Sequence, residues 1–554
     1  SFASRAYRQV YIQFCQTVGI SDQVISQHES MFRNMLGLLR GRIYYNLINW
    51  YRLVLLLPGS STNKSFMETM MGVKQKLKPE LANLFDFTKH PPQYTIAAKG
   101  RLAAMTLWRF LRIDPIVSTF MEEFTFVYLK ARKTDFTKMT LSDQMQQFWT
   151  LENQVLRKWQ APIINDYLCM IFFGLLKKLT EKWISGQGNL SQRNPSQTET
   201  TLSGSSLQND LLCGQGDLES TEPTKMLMRM AAHIDQNDLP MREFFLTHTN
   251  AEIVAGLRSR FQDHITAKTL NDFLDKYGFR CVDELKLEQP DLHDNPEFAI
   301  NSVVSYLKTK SYSISVMEDR EKSIRQAAET QVRQILHGYR RWIYFWVVKQ
   351  TRKAVRNREN LRFARTKIFG VARHLFRAIG DNLHSLGLLN HPRDIFYLTV
   401  EELIAFDEGL AISLDIRETA ERRKQEFQKY ENETPPPERL MTVGSVGASS
   451  LFSQVLIESD LLAQEAPVSN DPNVLIGTPC CPGVVEGVCR VVKDLKDAEG
   501  LNGEILVTSR TDPGWVPLYP SCSGLLIERG SLLSHSAVVA RELGLPTIVG
   551  ISGC

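Results

Sequence analysis

The C-terminal part of the chain has the clearest pattern of apolar and polar positions. The short apolar run Leu525–Ile527 has the length and composition of a buried strand. Gly530 then interrupts the chain, and after His535 the apolar residues recur at helical spacing until Gly544 and Pro546 end the helix. The pattern therefore predicts a strand, a tight loop and a helix whose first turn contains His535.

Two strand segments and a turn precede this unit. Gly477–Val492 begins with glycine and proline turn residues and continues with alternating strand residues. Glu504–Thr508 reads as another short strand, and Thr511–Pro517 as a turn. These segments predict a small sheet-containing region at the C-terminal end.

The middle of the chain is rich in predicted helix. One amphipathic helix is indicated by apolar residues that recur every three or four positions, namely Leu361, Ala364, Ile368, Val371, Leu375 and Ile379.

This helix and its approach are strongly basic, and Glu359 is the only acid among the basic residues. We favour the interpretation that these residues form a solvated basic face. A more specific alternative is an anion site for phosphate or a charged substrate. Nucleic-acid binding is a third and less favoured interpretation, because no known nucleic-acid-binding module accompanies the basic residues. The basic residues between positions 349 and 377 are Lys349, Arg352, Lys353, Arg356, Arg358, Arg362, Arg365, Lys367, Arg373 and Arg377.

Two breaks in composition divide the chain. Residues 185–223 are rich in Ser, Gln, Thr, Gly and Asn, which predicts a surface loop. The triple proline at 435–437 begins a second break, which runs to about residue 471. We therefore expect a helical body at 1–433, a linker at 434–471 and a small domain at 472–554.

Composition narrows the class of protein only slightly. With 554 residues, 43% of them hydrophobic, several globular domains are expected, and a net charge of +4 indicates no particular partner. The nine cysteines are scattered without a C-x-x-C pair, which suits a reducing cytoplasm. We find no signal peptide; Tyr44–Leu57 is interrupted by polar residues and Tyr167–Leu176 is too short to span a membrane. A cytoplasmic protein is expected.

His535 is the leading candidate for chemistry. Ser534 can cap the helix that begins there, and the free N–H groups of a helix start favour an anion, such as a phosphorylated histidine. A lone histidine is more often structural, so the surrounding residues decide between the two interpretations.

Those residues resemble the signature of the phosphohistidine swivel domain of phosphoenolpyruvate-utilising enzymes. The chain departs from it at Ser531, where the family usually has a second glycine, and at Ser536, where it usually has alanine. The matching positions are Gly530, Ser534, His535, Ala537, Ala540, Arg541, Glu542, Leu543, Gly544 and Pro546. The resemblance implies that His535 is catalytic and that Ser534, Ser536, Ala537 and Gly530 bind phosphate, without a metal ligand.

The body is similar to the helical substrate-binding domain of rifampicin phosphotransferase and of proteins labelled phosphoenolpyruvate synthase. The similarity rests on the segments Lys276–Leu285, Gln289–Pro290, Asn390–Thr399 and Glu401–Leu403, with a looser likeness at Gly41–Arg52. Four aromatic residues near this last segment are expected to lie in the core rather than to bind a ligand, namely Tyr44, Tyr45, Trp50 and Tyr51.

The resemblance thus implies a mostly α-helical body followed by a small β/β/α phosphohistidine swivel domain. Too few residues follow His535 for the barrel that holds pyruvate in classical phosphoenolpyruvate synthases. The expected domain order, a helical body followed by a swivel domain, therefore resembles that of rifampicin phosphotransferases. The implied activity is ATP-dependent transfer of a phosphoryl group through His535 to an acceptor bound in the body. Pyruvate, an antibiotic-like hydroxyl compound and an unknown metabolite all remain open as acceptors.

Such enzymes begin with an ATP-grasp domain, which this sequence lacks: it has no glycine-rich phosphate loop followed by a lysine. We expect a fragment that binds no cofactor alone, whereas the full-length enzyme uses ATP and Mg²⁺. The expected partners are an ATP-grasp domain, in cis or in trans, and a small-molecule acceptor, with no nucleic acid and no membrane. The alternative is a non-catalytic phosphocarrier or regulatory binding module that a partner phosphorylates.

Overall fold

The computed structural model of the chain describes residues 2–17, 19–56, 96–185, 204–214, 216, 218–434, 436, 471, 473–493, 495–530, 532 and 534–551. The α-helices are α1 (Phe2–Thr17), α2 (Asp22–Gln27), α3 (Glu29–Arg33), α4 (Leu47–Leu55), α5 (Ile96–Leu111), α6 (Ile113–Arg132), α7 (Leu141–Gln154), α8 (Gln160–Thr180), α9 (Gly204–Leu211), α10 (Glu222–Asn237), α11 (Leu239–Thr247), α12 (Asn250–Arg258), α13 (Ile265–Tyr277), α14 (Glu297–Thr309), α15 (Ile314–Ile335), α16 (Gly338–Ser385), α17 (Val400–Asp407), α18 (Ile416–Asn432) and α19 (His535–Glu542). The strands are β1 (Leu36–Leu39), β2 (Arg42–Tyr45), β3 (Thr478–Cys481), β4 (Cys489–Val491), β5 (Ile505–Thr508), β6 (Gly524–Ile527) and β7 (Thr547–Val549).

The chain divides into two compact units. The first contains residues 1–112, 133–163 and 374–468, and the second contains residues 113–132, 164–373 and 469–554. The predicted linker at 434–471 lies almost wholly outside the described residues, so the division into body, linker and C-terminal domain stays a prediction.

The first unit has an apolar cluster formed by α1 and the short helices that follow it. Tyr11 of α1 packs with Phe32 and Leu53 in this cluster. Of the four aromatic residues expected in the core, Tyr51 is buried, whereas Tyr45 lies on the β1–β2 hairpin with 50% of its surface exposed. The expectation was therefore wrong for Tyr45, because a two-stranded hairpin leaves one face of each strand to solvent.

The helical part of the second unit packs around α10 and α14. Leu227 and Ile234 of α10 meet Ile300 of α14 in a core that also contains Ile253 and Phe273. The N-terminus of α12 is fixed by a capping box, in which Thr249 and Glu252 satisfy each other's backbone N–H groups.

The C-terminal residues of the second unit form a five-stranded mixed sheet in the order β3-β7-β6-β5-β4. Strands β4, β5, β6 and β7 run parallel, and β3 pairs antiparallel with β7. The inner strands are short and almost continuously apolar, as parallel strands covered on both faces are. The predicted strands at Leu525–Ile527 and within Glu504–Thr508 are confirmed, as is the fold class of a helical body followed by a small sheet domain.

Helix α16 carries the amphipathic pattern predicted from Leu361 onward, and all six apolar positions of that pattern are buried. The expectation of a solvated basic face is wrong for this helix. Lys349 is exposed, but the other nine basic residues between 349 and 377 are buried or partly buried. Arg373 is fully buried and donates hydrogen bonds to the backbone carbonyls of Phe279, Glu284 and Lys286.

Two predicted irregular segments contain regular structure. Part of the predicted surface loop at 185–223 forms α9, whose Leu207 and Leu211 are buried; residues 186–203 lie outside the described part. The predicted turn Thr511–Pro517 leads into a 3₁₀ helix at Pro513–Ser521, which Asp512 caps by accepting a hydrogen bond from the Gly514 N–H.

Candidate functional site

His535 occupies the first position of α19, directly after the loop that leaves the carboxyl end of β6. Ser534 is the N-cap, and its hydroxyl accepts a hydrogen bond from the Ala537 N–H at 3.3 Å, which confirms the predicted cap. The carboxyl ends of parallel strands and the start of a helix are places where ligands and anions bind in α/β sheets. The local fold therefore presents His535 at a position suited to a phosphoryl group.

The His535 ring is held by a carboxylate from α16. Its Nδ1 lies 2.7 Å from Oε2 of Glu359, which is fully buried, while 13% of the His535 side chain is exposed. Burial alone would raise the pKa of Glu359, but the contact with His535 and the charges of Arg362 and Arg358 lower it to about 2. Glu359 is therefore ionised at neutral pH.

This contact assigns the two ring nitrogens of His535. An ionised carboxylate can only accept hydrogen bonds, so Nδ1 must carry the proton that is donated to Glu359. In the neutral imidazole the second nitrogen, Nε2, then has a free lone pair. Nε2 is buried and has no hydrogen-bond partner among the described residues. The arrangement leaves Nε2 as the ring nitrogen that is able to act as a nucleophile.

Two arginines of the same helix surround Glu359. Arg358 Nη1 lies 3.2 Å and Arg362 Nη1 3.8 Å from Glu359 Oε1, and Arg358 Nε lies 3.5 Å from Asp166 Oδ1. Burial and the neighbouring Arg358 charge lower the pKa of Arg362 to about 10, so this guanidinium stays charged at neutral pH. The carboxylates of Glu359 and Asp166 thus hold two charged guanidinium groups in place beside His535.

The loop after β5 reaches the same edge of the sheet. Thr511 Oγ1 is hydrogen-bonded to the Ser536 hydroxyl, one residue from His535. Next to it, Asp512 accepts hydrogen bonds from the backbone N–H groups of Asp283 at 2.6 Å and Gly514 at 2.7 Å. Burial and the nearby Glu284 charge raise the pKa of Asp512 to about 7, although both N–H groups oppose this shift.

The four predicted phosphate-binding residues surround the start of α19. The Ala537 N–H is already used by the Ser534 cap, and the Ser536 hydroxyl by Thr511. Gly530 packs closely, since a Cβ atom there would lie 3.2 Å from Cβ of Val549. The role of these four residues in phosphate binding stays a prediction. Ser531, where the chain departs from the family signature, lies outside the described residues.

Glu359 and its arginines were not recognised as site residues from the sequence. The available signal was a lone acid within a long basic run, which is unusual on a solvated face. Its partner lies 176 positions away along the chain, so only the packing of α16 against the start of α19 reveals the pair.

Among the described residues, no group of three or more His, Cys, Asp or Glu side chains could hold a metal ion. The described residues include one helical stretch, Leu141–Ile184, that is long and apolar enough to cross a membrane. However, 61% of its most apolar part is buried inside the protein. Burial of that kind is also typical of a core helix.

Two regions of the chain match known protein families. Residues 167–359 match the fourth domain of rifampicin phosphotransferase, and residues 500–554 match the mobile domain of PEP-utilising enzymes. The first match ends at Glu359 and the second includes His535. The chain thus contains regions characteristic of phosphoenolpyruvate-utilising phosphotransferases, as the sequence motifs predicted.

Among curated proteins, the chain is similar to rifampicin phosphotransferases. That of Bacillus subtilis (strain 168) is 29% identical over 299 residues, 52% of this chain and 32% of the relative. That of a Streptomyces species is 30% identical over 285 residues, 50% of this chain and 31% of the relative. The prodigiosin synthesizing transferase PigC of Serratia marcescens is 22% identical over 488 residues, 84% of this chain and 50% of that protein. The alignments cover about a third of the two rifampicin phosphotransferases.

Proposed function

We propose that this chain is the acceptor-side part of a phosphotransferase, in which His535 carries a phosphoryl or pyrophosphoryl group from ATP to a small-molecule acceptor. The observation that carries the proposal is the contact between His535 Nδ1 and the ionised Glu359, which joins the two regions that match phosphotransferase families. A purely structural histidine would not require a buried carboxylate on one nitrogen and an unpartnered lone pair on the other.

In the first half-reaction, Nε2 of His535 attacks a phosphorus atom of ATP. A phosphorus–nitrogen bond forms while the phosphorus–oxygen bond to the leaving part of the nucleotide breaks and its electron pair departs with that oxygen. In the second, an acceptor hydroxyl attacks phosphorus, the phosphorus–nitrogen bond breaks with its electrons returning to Nε2, and the hydroxyl proton passes to water. In the second half-reaction Glu359 accepts the hydrogen bond from Nδ1–H, which orients the ring and stabilises the positive charge on it.

The positive charges near the ring suit the second half-reaction. Phosphoryl transfer spreads negative charge over the equatorial oxygens, and catalysis depends mainly on positioning and on fixed positive groups. Arg358 and Arg362 are such groups, and their contacts with Glu359 and Asp166 hold them in place before a ligand arrives. Guanidinium groups also match phosphate geometry with paired N–H donors.

ATP and its Mg²⁺ belong, in this proposal, to an ATP-grasp domain in the same polypeptide or on a partner. Among the described residues, no cluster of His, Cys, Asp or Glu fits a metal ion. The acceptor is proposed to bind the helical part, and its identity is left open among pyruvate, a hydroxyl-bearing antibiotic-like compound and another metabolite.

The proposal is tested by labelling the chain with β- or γ-³²P-ATP and Mg²⁺, with and without a separately expressed ATP-grasp domain from a rifampicin phosphotransferase. We expect acid-labile label only when that domain is present, none in His535→Ala, and normal label in His337→Ala, an exposed histidine outside the site. Label without any transfer to candidate acceptors would favour the phosphocarrier alternative. Absence of label with an active ATP-grasp domain would reject both.

A further inference from the structure

The first turns of α16 expose large aromatic side chains along one face. Tyr339, Trp342 and Trp346 follow one another at intervals of three and four residues, and 68%, 71% and 38% of their surfaces are exposed. The opposite face of the same turns is buried through Tyr344 and Val347. The aromatic stripe therefore points outward from the part of α16 that belongs to the second unit.

Helix α8 extends this stripe into a wider surface. It runs antiparallel to α16, since Asn165 donates to the Ala354 carbonyl at 2.9 Å and the hydroxyls of Thr180 and Tyr344 lie 2.7 Å apart. A contact of 5.8 Å between the ring centroids of Phe172 and Trp346 joins the helices in between.

On α8, Ile171 and Leu175 are exposed at 39% and 36%, and Lys178 follows on the same face. We define the aromatic–basic surface as Ile171, Leu175, Lys178, Tyr339, Trp342 and Trp346.

The rim of this surface is positively charged. Five further exposed basic residues flank it, whereas Glu181 is the only acid between residues 167 and 185, and residues 338–358 contain none. These flanking residues are Lys177, Lys182, Arg340, Arg341 and Lys349. Its charge therefore complements an anionic partner.

The mixture of side chains selects among anionic partners. Exposed Trp and Tyr beside Lys and Arg, with aliphatic side chains between them, is the composition of surfaces that lie in the headgroup region of a bilayer. Single-stranded nucleic acid would use the aromatic rings and the charges, but it gains little from Ile171 and Leu175. The surface is also formed by two helix faces rather than by a basic groove that could follow a strand of nucleotides.

We propose that the aromatic–basic surface docks this protein on the surface of an anionic lipid bilayer. The aromatic and aliphatic side chains enter the headgroup region while the basic rim binds lipid phosphates and carboxylates. This contact requires no spanning segment, and it is independent of the chemistry proposed for His535. The proposal differs from the expectation from sequence that no membrane takes part.

The test is co-sedimentation of the chain with sucrose-loaded vesicles of phosphatidylcholine and phosphatidylserine at 7:3, compared with phosphatidylcholine alone. We expect binding only to the anionic vesicles, and weaker binding in 0.5 M than in 0.1 M KCl, because salt screens the charges. Removing a basic residue near the surface should lower the partition coefficient about fivefold. Lys178→Gln with Lys182→Gln should therefore lower it at least about tenfold, and Trp342→Ser with Tyr339→Ser should do the same.

Matched controls change equally exposed residues elsewhere. Ile412→Ser, and Lys268→Gln with Lys276→Gln, should leave vesicle binding unchanged. Circular dichroism melting checks that each variant is folded. Failure to bind the anionic vesicles would overturn the proposal, as would binding that both surface variants retain. Binding of a 20-nucleotide single strand through these residues, without vesicle binding, would assign the surface to nucleic acid instead.

Discussion

At the scale of single residues, the chemistry of His535 depends on which ring nitrogen is free. Glu359 fixes the answer, because its ionised carboxylate requires a proton on Nδ1 and leaves Nε2 unprotonated in the neutral ring. A carboxylate in this position orients the ring, sets its tautomer and raises its basicity. The contact with His535, together with the charges of Arg362 and Arg358, lowers the pKa of that carboxylate in spite of its burial.

Glu359→Gln is expected to slow transfer from phosphorylated His535 to an acceptor by about 10- to 1000-fold, because the amide can leave the ring in the wrong tautomer and loses the charge. Single-turnover rates with an ATP-grasp domain measure this effect. Glu329→Gln, which changes a partly buried glutamate on α15, should leave the transfer rate unchanged. Equal rates in wild type and Glu359→Gln would contradict the role assigned to Glu359.

The low pKa of Glu359 also predicts a pH dependence of stability. Its folded value of about 2 lies below the ordinary value of 4.5, so ionisation of Glu359 stabilises the fold above about pH 4.5 and this contribution is lost as pH falls toward 2. Urea unfolding of wild type and Glu359→Gln should differ more at pH 6 than at pH 3. A difference that does not shrink on acidification would mean that Glu359 is not held ionised by its neighbours.

The sequence was sufficient to predict that His535 lies at the start of a helix capped by Ser534, but not that Glu359 is its partner. The signature around His535 is local, since the strand, the loop, Ser534 and the helix follow each other within a few residues. The partnership with Glu359 depends on how α16 packs against α19, and spacing along the chain carries no information about that contact. For the same reason the arginines of α16 were expected in solvent although Arg358 and Arg373 are buried.

At the scale of elements, α19 is short and depends on its two ends. Ser534 caps its start, and Gly544 follows its last turn with a φ of +59°, a left-handed conformation that glycine adopts without strain. A Cβ atom on Gly544 would also lie 3.0 Å from Cδ of Arg320 on α15. The predicted helix end at Gly544 is confirmed, and it has a packing reason that the sequence did not reveal.

Gly544→Ala should therefore destabilise the protein by about 1–3 kcal/mol, from backbone strain together with the Arg320 contact. Gly500→Ala is the matched control, since Gly500 has a φ of +73° but no atom within 4 Å of the added Cβ. Gly500→Ala should lower the free energy of unfolding only through backbone strain, by about 1 kcal/mol. Chemical unfolding of both variants measures the difference, and equal losses would show that the Arg320 contact carries no energy.

At the scale of the whole molecule, the C-terminal sheet has a core of its own. Its buried apolar residues, from Cys480 to Val549, form one cluster that includes Leu506, Leu525 and Val539. Movement of His535 between an ATP site and an acceptor would require such a self-contained domain. The helical class and the sheet were predictable from periodicity, whereas the grouping of residues 469–554 with α9 to α15 arises from contacts distant in sequence.

A fragment of residues 472–554 is therefore expected to fold alone and to unfold cooperatively, with lower stability than in the chain because its contacts with α9 and α15 are missing. Thermal melting followed by circular dichroism, together with the dispersion of its amide resonances, tests this. A fragment without cooperative melting would mean that the region cannot act as a mobile domain.

Alkaline hydrolysis of the labelled chain shows whether Nε2 of His535 carries the phosphoryl group. The two phosphohistidine isomers survive alkali and separate by chromatography. We expect phosphate on Nε2, at His535 alone, in chain labelled through an ATP-grasp domain. Phosphate on Nδ1, or on another residue, would contradict the assignment of the ring nitrogens by Glu359 and with it the proposed mechanism.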